Sequence, residues 1–268
     1  MAKLGLAMIT VNAVFRNDYS RTFLELSKLG IRDLEFKTFF GYEPRQLRRA
    51  MDEYGMRSLA SHERKRDLRD PERLKRLMDD QAVLGTKYIV YTLGAVDIQS
   101  EIDALIDDLN RAGRTLRENG FQLLYHNHAR EFERMPDGQR KMDYILDRVD
   151  SRYANLELDV LYLNAANHIP VREYMTARRD RIRIVHLKDG YIDPRRTDKQ
   201  DDFMCAIALP VGDGVVQIQE TVDCVMELGI PWLLIENEEP SADCFQEVRQ
   251  DRDRIYQHYH FREEDVCV

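Results

Sequence analysis

Two histidines and a glutamate follow an apolar run in the segment QLLYHNHAREFE, residues 122–133. The run 122–125 predicts a buried strand, and because strand side chains alternate between two faces, His126 and His128 are expected to point the same way. Glu131 follows three residues later. This combination can bind a metal or transfer protons, although a histidine pair on a strand is equally compatible with hydrogen-bonded packing. The rest of the sequence is needed to distinguish a functional site from packing.

Polar side chains end other predicted strands as well. Asp159 ends LELD, His186 ends IRIVH and Glu236 ends WLLIE. Taken alone, Asp159 is more often a capping or loop residue, and His186 is more often a packed histidine. A carboxylate that follows four apolar residues, as Glu236 does, is costly to bury without a partner, and a cation would satisfy it.

The strand ends taken together predict a metal site. Glu131, Asp159, His186 and Glu236 supply three carboxylates and one imidazole, a set that suits a divalent ion. We expect Mn²⁺ first and Co²⁺ or Mg²⁺ next, with Zn²⁺ less favoured because no thiolate takes part. Further polar residues end or follow the other predicted strands: Glu35, Lys37, His62, Thr92, Lys188 and Glu238.

The elements that would position these residues share a recurring pattern. An amphipathic segment ends in glycine and a short apolar run follows, as in LSKLGIRDLEF and MELGIPWLLIE. Glycine after a helix supplies a left-handed cap, and the apolar run is typical of a buried parallel strand. The pattern predicts eight strands: 4–10, 33–37, 57–61, 88–92, 122–125, 154–158, 182–187 and 232–236.

Helices are predicted between these strands, at 19–29, 44–54, 71–84, 98–118, 216–228 and 243–257. Eight alternating units favour an α/β fold with one (β/α)₈ TIM barrel over an open doubly wound sheet, and the 268 residues match the length of about 250 typical of that barrel. No composition break suggests a boundary, so one domain over residues 1–268 is expected. The connection 189–215 is unusually long and polar, as a lid or a disordered excursion would be.

Composition excludes several classes of protein. With 48 acidic and 40 basic residues, the formal net charge is −8, so nucleic acid is not an expected partner. The four cysteines form no CxxC pair and are expected to be reduced thiols. The N-terminus lacks the features of a signal peptide, and no apolar run approaches the roughly 20 residues that span a bilayer. We therefore expect a cytoplasmic protein without a membrane partner.

Five segments in order, YHNHAREFE, LELDVLYLN, VHLKDG, PVGDG and LLIEN, resemble the sugar phosphate isomerase/epimerase family. These xylose-isomerase-like TIM barrels include inosose dehydratase, ketose 3-epimerases and endonuclease IV. The resemblance covers nearly the whole chain. It implies a divalent metal held by Glu, Asp, His and Glu from strands five to eight, which in this sequence correspond to Glu131, Asp159, His186 and Glu236.

One position departs from the family pattern. A direct match of the fifth strand places His126 where many relatives carry the metal-binding glutamate. Either His126 is the ligand or Glu131 reaches in from the loop, and we prefer Glu131 because a hard cation gains more from a carboxylate. Tyr162 stands three residues after Asp159, where endonuclease IV has a histidine, so that activity is not expected.

The resemblance implies an isomerase or epimerase that acts on a sugar or keto-sugar through an enediolate. We expect His128 or Glu236 to be the general base, with His126 polarising or binding the substrate. Lys188 would stabilise the enediolate electrostatically. Further contacts to the substrate are expected from His62, Glu35 and Asn127.

Three other functions remain open at this point. A metal-dependent dehydratase or lyase would share the enediolate step and carry out β-elimination on a keto-sugar, keto-inositol or 3-keto-glycoside. A Schiff-base aldolase would use Lys188 as its imine-forming lysine. A non-catalytic barrel would bind a sugar or serve in an assembly. The expected partner is a small carbohydrate, and the sequence leaves open a homo-oligomer or a partner subunit.

Overall fold

A closed barrel of eight parallel strands forms the centre of the computed structural model, which describes residues 2–193, 195 and 206–262. The barrel strands are β1 (Lys3–Ala7), β2 (Asp33–Phe36), β3 (Arg57–Glu63), β4 (Tyr88–Tyr91), β5 (Gln122–His126), β6 (Ala154–Asp159), β7 (Ile182–Leu187) and β10 (Trp232–Ile235). The last strand, β10, pairs in parallel with both β1 and β7, which closes the barrel. The predicted (β/α)₈ fold is confirmed.

Helices surround this barrel and connect its strands. They are α1 (Asn12–Phe15), α2 (Tyr19–Lys28), α3 (Pro44–Tyr54), α4 (Lys65–Arg69), α5 (Pro71–Leu84), α6 (Gln99–Glu118), α7 (Lys141–Arg148), α8 (Val171–Arg178), α9 (Ile218–Glu227) and α10 (Cys244–Asp253). Short 3₁₀ helices cover Met8–Val11 and Arg130–Phe132, and π-helical turns cover Leu161–Ala166 and Arg254–His258.

The boundaries of α3 and α5 follow from their terminal residues. Each helix begins with a proline, whose missing amide hydrogen costs nothing in the first turn. Each ends before a glycine in the left-handed conformation, with φ of 68° at Gly55 and 74° at Gly85. Asp70 caps α5 because its side chain accepts hydrogen bonds from the backbone amides of residues 72 and 73.

Helices α7 and α8, neither of which ends at a glycine, were not predicted. The residue after α7, Val149, is extended, and the residue after α8, Arg179, is still helical rather than left-handed. The first strand was predicted to reach Thr10 but ends at Ala7, where the chain turns into a 3₁₀ helix. The long connection contains the strands β8 (Asp189–Ile192) and β9 (Ala206–Leu209), which pair antiparallel. Most of its polar run DPRRTDKQDD, residues 193–202, lies outside the described residues, at 194 and 196–202.

Asp189 fastens this hairpin to the barrel. Its buried carboxylate accepts hydrogen bonds from four backbone amides, those of Gly190, Gly212, Gly214 and Val216, at 2.8–3.1 Å. Position 214 has no room for a side chain, since a Cβ on Gly214 would lie 2.2 Å from an Asp189 oxygen. The PVGDG segment is therefore held by one carboxylate directly after Lys188.

Two apolar clusters fill the fold. The larger one lies between the strands and the helices and includes most of the buried residues. The smaller one consists of strand residues that fill the interior of the barrel: Leu59, Ala60, Tyr88, Val90, Leu124, Ile184, Trp232 and Leu234. The barrel is thus a packed core rather than a pore, and any site has to lie at one of its ends.

Cys224 and Cys244 are free and buried, while Cys205 and Cys267 lie outside the described residues. In the part of the chain that the structure describes, no helix is both long and apolar enough to cross a membrane.

Asp251 on α10 should make the stability of the fold depend on pH. Its buried carboxylate accepts a hydrogen bond from the Val211 amide, and burial raises its pKa to about 7. The unfolded chain releases this proton near pH 4, so the stability that Asp251 contributes is full below that pH and is lost as pH rises through 7. We expect Asp251→Asn, which keeps the acceptor, to raise the free energy of unfolding by about 2 kcal/mol at pH 8 and by less at pH 5.

Urea unfolding at pH 5, 6, 7 and 8 checks this prediction, with Asp79→Asn on the exposed side of α5 as the matched control. A gain that stays constant over this range would contradict it.

Candidate active site

A polar layer lies directly above the apolar interior of the barrel. Strand side chains that face the interior recur every second residue, so the residue two positions beyond each core residue points to the same axis. On five strands that next residue is polar: His62 follows Ala60, Thr92 follows Val90, His126 follows Leu124, His186 follows Ile184 and Glu236 follows Leu234. The carboxyl ends of the strands therefore bring the sequence-predicted groups together.

His186 lies at the centre of this layer and is fully buried. Its Nδ1 is 2.6 Å from Glu236 Oε2, whereas its Nε2 is 2.9 Å from Glu35 Oε1 and 3.3 Å from Glu157 Oε1. Burial lowers the pKa of His186, but the charges of these three glutamates outweigh it and hold the pKa well above the ordinary value. The imidazole thus connects two groups of carboxylates.

Glu157 is a site residue that the sequence analysis missed. Its Oε1 lies 2.9 Å from both His62 Nε2 and His126 Nδ1, and its Oε2 is buried with no hydrogen-bond partner among the described residues. Burial, with the charge of Glu35, raises its pKa to about 7. Strand alternation could have identified this glutamate, because it stands two residues before Asp159 on the same face.

His62 lies between two carboxylates. Its Nε2 is 3.1 Å from Glu35 Oε1 on one side and 2.9 Å from Glu157 on the other. Burial lowers the pKa of His62, but the two glutamates outweigh it and raise it to about 10. Burial also raises the pKa of Glu35, which the His186 and His62 charges nonetheless hold well below its ordinary value. Glu35 therefore stays ionised beside a protonated imidazole.

His126 and His128 have the opposite electrostatic environment. Burial and the charge of His186 hold the pKa of His126 well below its ordinary value, and burial with the charge of Lys188 lowers that of His128 to about 3. The two rings lie 5.1 Å apart, and His128 also packs 5.1 Å from the ring of Tyr162. Both imidazoles are thus neutral near pH 7.

Lys188, directly after β7, is buried with its ammonium among acidic groups. Its Nζ lies 2.8 Å from Glu238, 3.6 Å from Asp159 Oδ2 and 4.9 Å from the ring of Tyr162. Burial lowers the pKa of Lys188, but the charges of Glu236 and its other neighbours hold it well above the ordinary value. Lys188 therefore carries a permanent positive charge directly after the end of β7.

Asn127 does not face the substrate side, in contrast to its predicted role. Its amide donates to the backbone oxygen of Asp159 and accepts from the Asp159 amide, at 3.2 and 3.0 Å, and it is fully buried. Because both polar atoms of the side chain are occupied, Asn127 joins the ends of β5 and β6 instead.

Glu131 is also placed away from its predicted position. Its Oε1 accepts the Tyr125 hydroxyl at 2.6 Å, and its Oε2 accepts the His128 amide at 3.0 Å. The 3₁₀ turn of residues 130–132 directs the carboxylate back along its own loop. Within the described residues, the geometry puts Glu157 rather than Glu131 beside His186.

An open cavity gives access to this layer. Glu35, His62, His126, His128 and Glu236 line it, with Lys37 and Glu238 on one side. Apolar walls are formed by Met8, Ile9 and Leu93. The polar layer is therefore reachable by a ligand that has both hydroxyl groups and C–H faces.

Two sets of side chains in the described part of the chain could hold a metal ion. One set contains His62, His126, Glu157 and His186, and the other contains Asp159, His186 and Glu236. Within each set the ligand atoms lie within 4.8 Å of one another, and His186 belongs to both. The buried oxygens Glu35 Oε2, Glu157 Oε2 and Asp159 Oδ2 have no hydrogen-bond partner among the described residues. Such a donor set fits a divalent cation.

Comparison with known proteins gives a family match. The model of the xylose isomerase-like TIM barrel family matches residues 23–258. A sugar phosphate isomerase/epimerase from Parabacteroides distasonis superimposes with a TM-score of 0.78 at 22% identity, covering 95% of this chain and 93% of that one. The IOLI protein, whose crystal structure contains a bound zinc atom, superimposes with a TM-score of 0.72 at 15% identity, covering 96% and 99%. Both likenesses show the shared fold.

A curated sequence relative is the inosose dehydratase of Bacillus velezensis. It is 30% identical to this chain over 152 residues, which cover 53% of this chain and 49% of the relative. This chain thus spans about half the length of the first curated relatives that it matches.

Proposed function

Since this chain belongs to the xylose isomerase-like TIM barrel family, which confirms the resemblance seen in its sequence, we propose that it is a divalent-metal-dependent enzyme acting on a keto-sugar or related polyol. The observation that carries this proposal is the set of buried carboxylates and imidazoles around His186, several of whose oxygens lack a hydrogen-bond partner among the described residues, next to an open cavity. The shared step would be removal of the proton next to the substrate carbonyl.

The donor set supports a cation held by Asp159, His186 and Glu236, three of the four sequence-predicted ligands. His126 is better placed than Glu131 to contribute from the fifth strand, because it belongs with His186 to the other candidate set. When bound, such a cation polarises a carbonyl and acidifies the neighbouring C–H group. Oxygen and nitrogen ligands are compatible with Mn²⁺, Co²⁺ or Mg²⁺, and Zn²⁺ is bound by the similarly folded IOLI protein.

The residues of the cavity would perform the proton chemistry. His128 lines the cavity as an imidazole that can accept the proton. His62 lines the same cavity, and because its Nε2 lies between two carboxylates, its Nδ1 would be the nitrogen that donates a hydrogen bond to a substrate oxygen. Lys188 places a fixed positive charge beside Asp159, which favours the negative charge that develops on the enediolate.

Isomerisation or epimerisation returns the proton to carbon, whereas elimination expels a neighbouring hydroxyl group. The similarity to inosose dehydratases favours elimination from a keto-inositol or similar ring as the second candidate. Both reactions start with the same proton removal, so one experiment detects either.

We expect the protein, depleted of metal by a chelator and reloaded with Mn²⁺, to catalyse proton exchange with deuterated water on at least one keto-sugar, keto-inositol or 3-keto-glycoside. Proton NMR measures the exchange, and absorbance of the conjugated ketone measures elimination. The metal-free protein should be at least about 100-fold slower, because the carbonyl is no longer polarised. A protein that neither retains metal after dialysis nor shows a thermal shift with Mn²⁺ would contradict the proposal and favour the sugar-binding barrel.

A further inference from the structure

Glu131 is a buried carboxylate, 2% exposed, and the proposed metal site does not use it. It accepts the backbone amide of His128, three residues earlier in the chain, and the hydroxyl of Tyr125 at the end of β5. A hydrogen bond to an ionised acceptor is stronger than one between neutral groups, and a buried donor that loses its acceptor is costly. Glu131 therefore fixes the turn that carries His128.

Tyr125 extends this connection to the neighbouring loop. Its phenol also lies close against Gly94, where a Cβ would come within 2.5 Å of the phenol oxygen. The residue before this glycine, Leu93, lines the cavity with a φ of 57°, a conformation that leucine rarely adopts. One chain of contacts thus links the loops after β4 and β5, and each loop presents a residue to the cavity.

We propose that Glu131 is a positioning residue, which holds His128 through its backbone amide and the Leu93 loop through Tyr125, and that it does not bind the metal. The part of this inference that concerns catalysis rests on the proposed function of His128 as the proton acceptor. A shift of about 1 Å in a proton-transfer group is enough to cost about 100-fold in rate, so loss of the anchor should reduce turnover without reducing the binding of metal.

The direction of the carboxylate supports this assignment. Its two oxygens accept hydrogen bonds from the Tyr125 hydroxyl, in the preceding strand, and from the His128 amide, in its own loop. To bind a cation beside His186, Glu131 would have to release one of these buried donors. Glu157 already brings an oxygen with no hydrogen-bond partner among the described residues to that place.

Three variants test the proposal in the full-length, Mn²⁺-loaded protein: Glu131→Ala, Glu131→Gln and Tyr125→Phe. We expect all three to contain as much metal as the wild type. In Glu131→Ala, kcat for proton exchange should fall by about 30- to 100-fold while KM changes little. Glu131→Gln should recover to within about 5-fold of the wild type, because the amide oxygen can still accept the His128 amide. Tyr125→Phe should fall between the two.

Hydrogen–deuterium exchange of the peptide that contains His128 gives a readout that does not depend on activity. The His128 amide should exchange at least about 10-fold faster in Glu131→Ala than in the wild type. Glu133→Ala serves as the matched control, since Glu133 lies two residues on, is 55% exposed and pairs with Lys141.

Loss of metal from Glu131→Ala would overturn the proposal and make Glu131 a ligand. Unchanged exchange at His128 would overturn it as well. If the wild type shows no activity on any substrate, the proposed function fails, whereas metal content and amide exchange still decide whether Glu131 anchors the turn.

Discussion

Replacement of His186 by glutamine is expected to remove the bound divalent cation and to reduce proton exchange by at least about 1,000-fold. His186 is the residue that the two candidate metal sets share, so its loss affects every arrangement of ligands around the cation. Glutamine retains a polar side chain of similar length but lacks the two ring nitrogens. Metal analysis of the purified variant, together with the NMR exchange assay, measures both effects.

The same substitution should also destabilise the metal-free fold. Glu35, Glu157 and Glu236 would remain close together without the imidazole that lies between them, and a buried charge that loses its partner costs about 3 kcal/mol or more. Urea unfolding in the presence of a chelator measures this loss. His258→Gln, at an exposed position, controls for the change of residue type. A His186→Gln protein with normal metal content would place the cation elsewhere.

Replacement of Lys188 by methionine is expected to reduce kcat by about 100- to 1,000-fold while the metal content stays near that of the wild type. Methionine preserves the length and apolar stem of the side chain and removes its charge. The enediolate would then form without the fixed positive charge that lies 3.6 Å from Asp159. Steady-state kinetics of the exchange reaction and metal analysis measure the two quantities separately.

Lys188 also separates the metal mechanism from the Schiff-base alternative. An imine-forming lysine has to attack as a neutral amine, whereas this ammonium pairs with Glu238 at 2.8 Å and its pKa is held well above the ordinary value. We therefore expect no covalent label when borohydride is added to the wild-type protein with substrate. Lys28→Met, at an exposed position, is the matched control for the methionine variant. Labelling that disappears in Lys188→Met would establish the aldolase instead.

The fold was predictable because the signals that end its helices are local in the sequence. Gly55 and Gly85 end helices where only their own backbone conformation matters, and each is followed by an apolar run that can only be buried as a strand. The hairpin after β7 was not predictable in the same way. Its strands pair through residues far apart in the sequence, and its anchor, Asp189, works through amides of residues 212–216.

The site was predictable to the level of strand ends but not of individual contacts. Asp159, His186 and Glu236 were identified because each ends a predicted strand, and the structure brings them together. Glu157 was missed because it stands inside its strand, where only the alternation of faces marks it. Glu131 was assigned to the metal because its distance along the chain allowed it, yet a short-range bond to the His128 amide directs it elsewhere.

The Asp189 anchor has a consequence for how this barrel can diversify. Because the Asp189 carboxylate accepts the amide of Gly190 at the start of the hairpin and those of Gly212, Gly214 and Val216 beyond it, the two ends of that excursion are held together independently of what lies between them. Lengthening a loop whose ends are already held costs little, since the closure entropy grows only slowly with length. The connection between β8 and β9 is thus a position where the chain can be lengthened while the chemistry at the strand ends is retained.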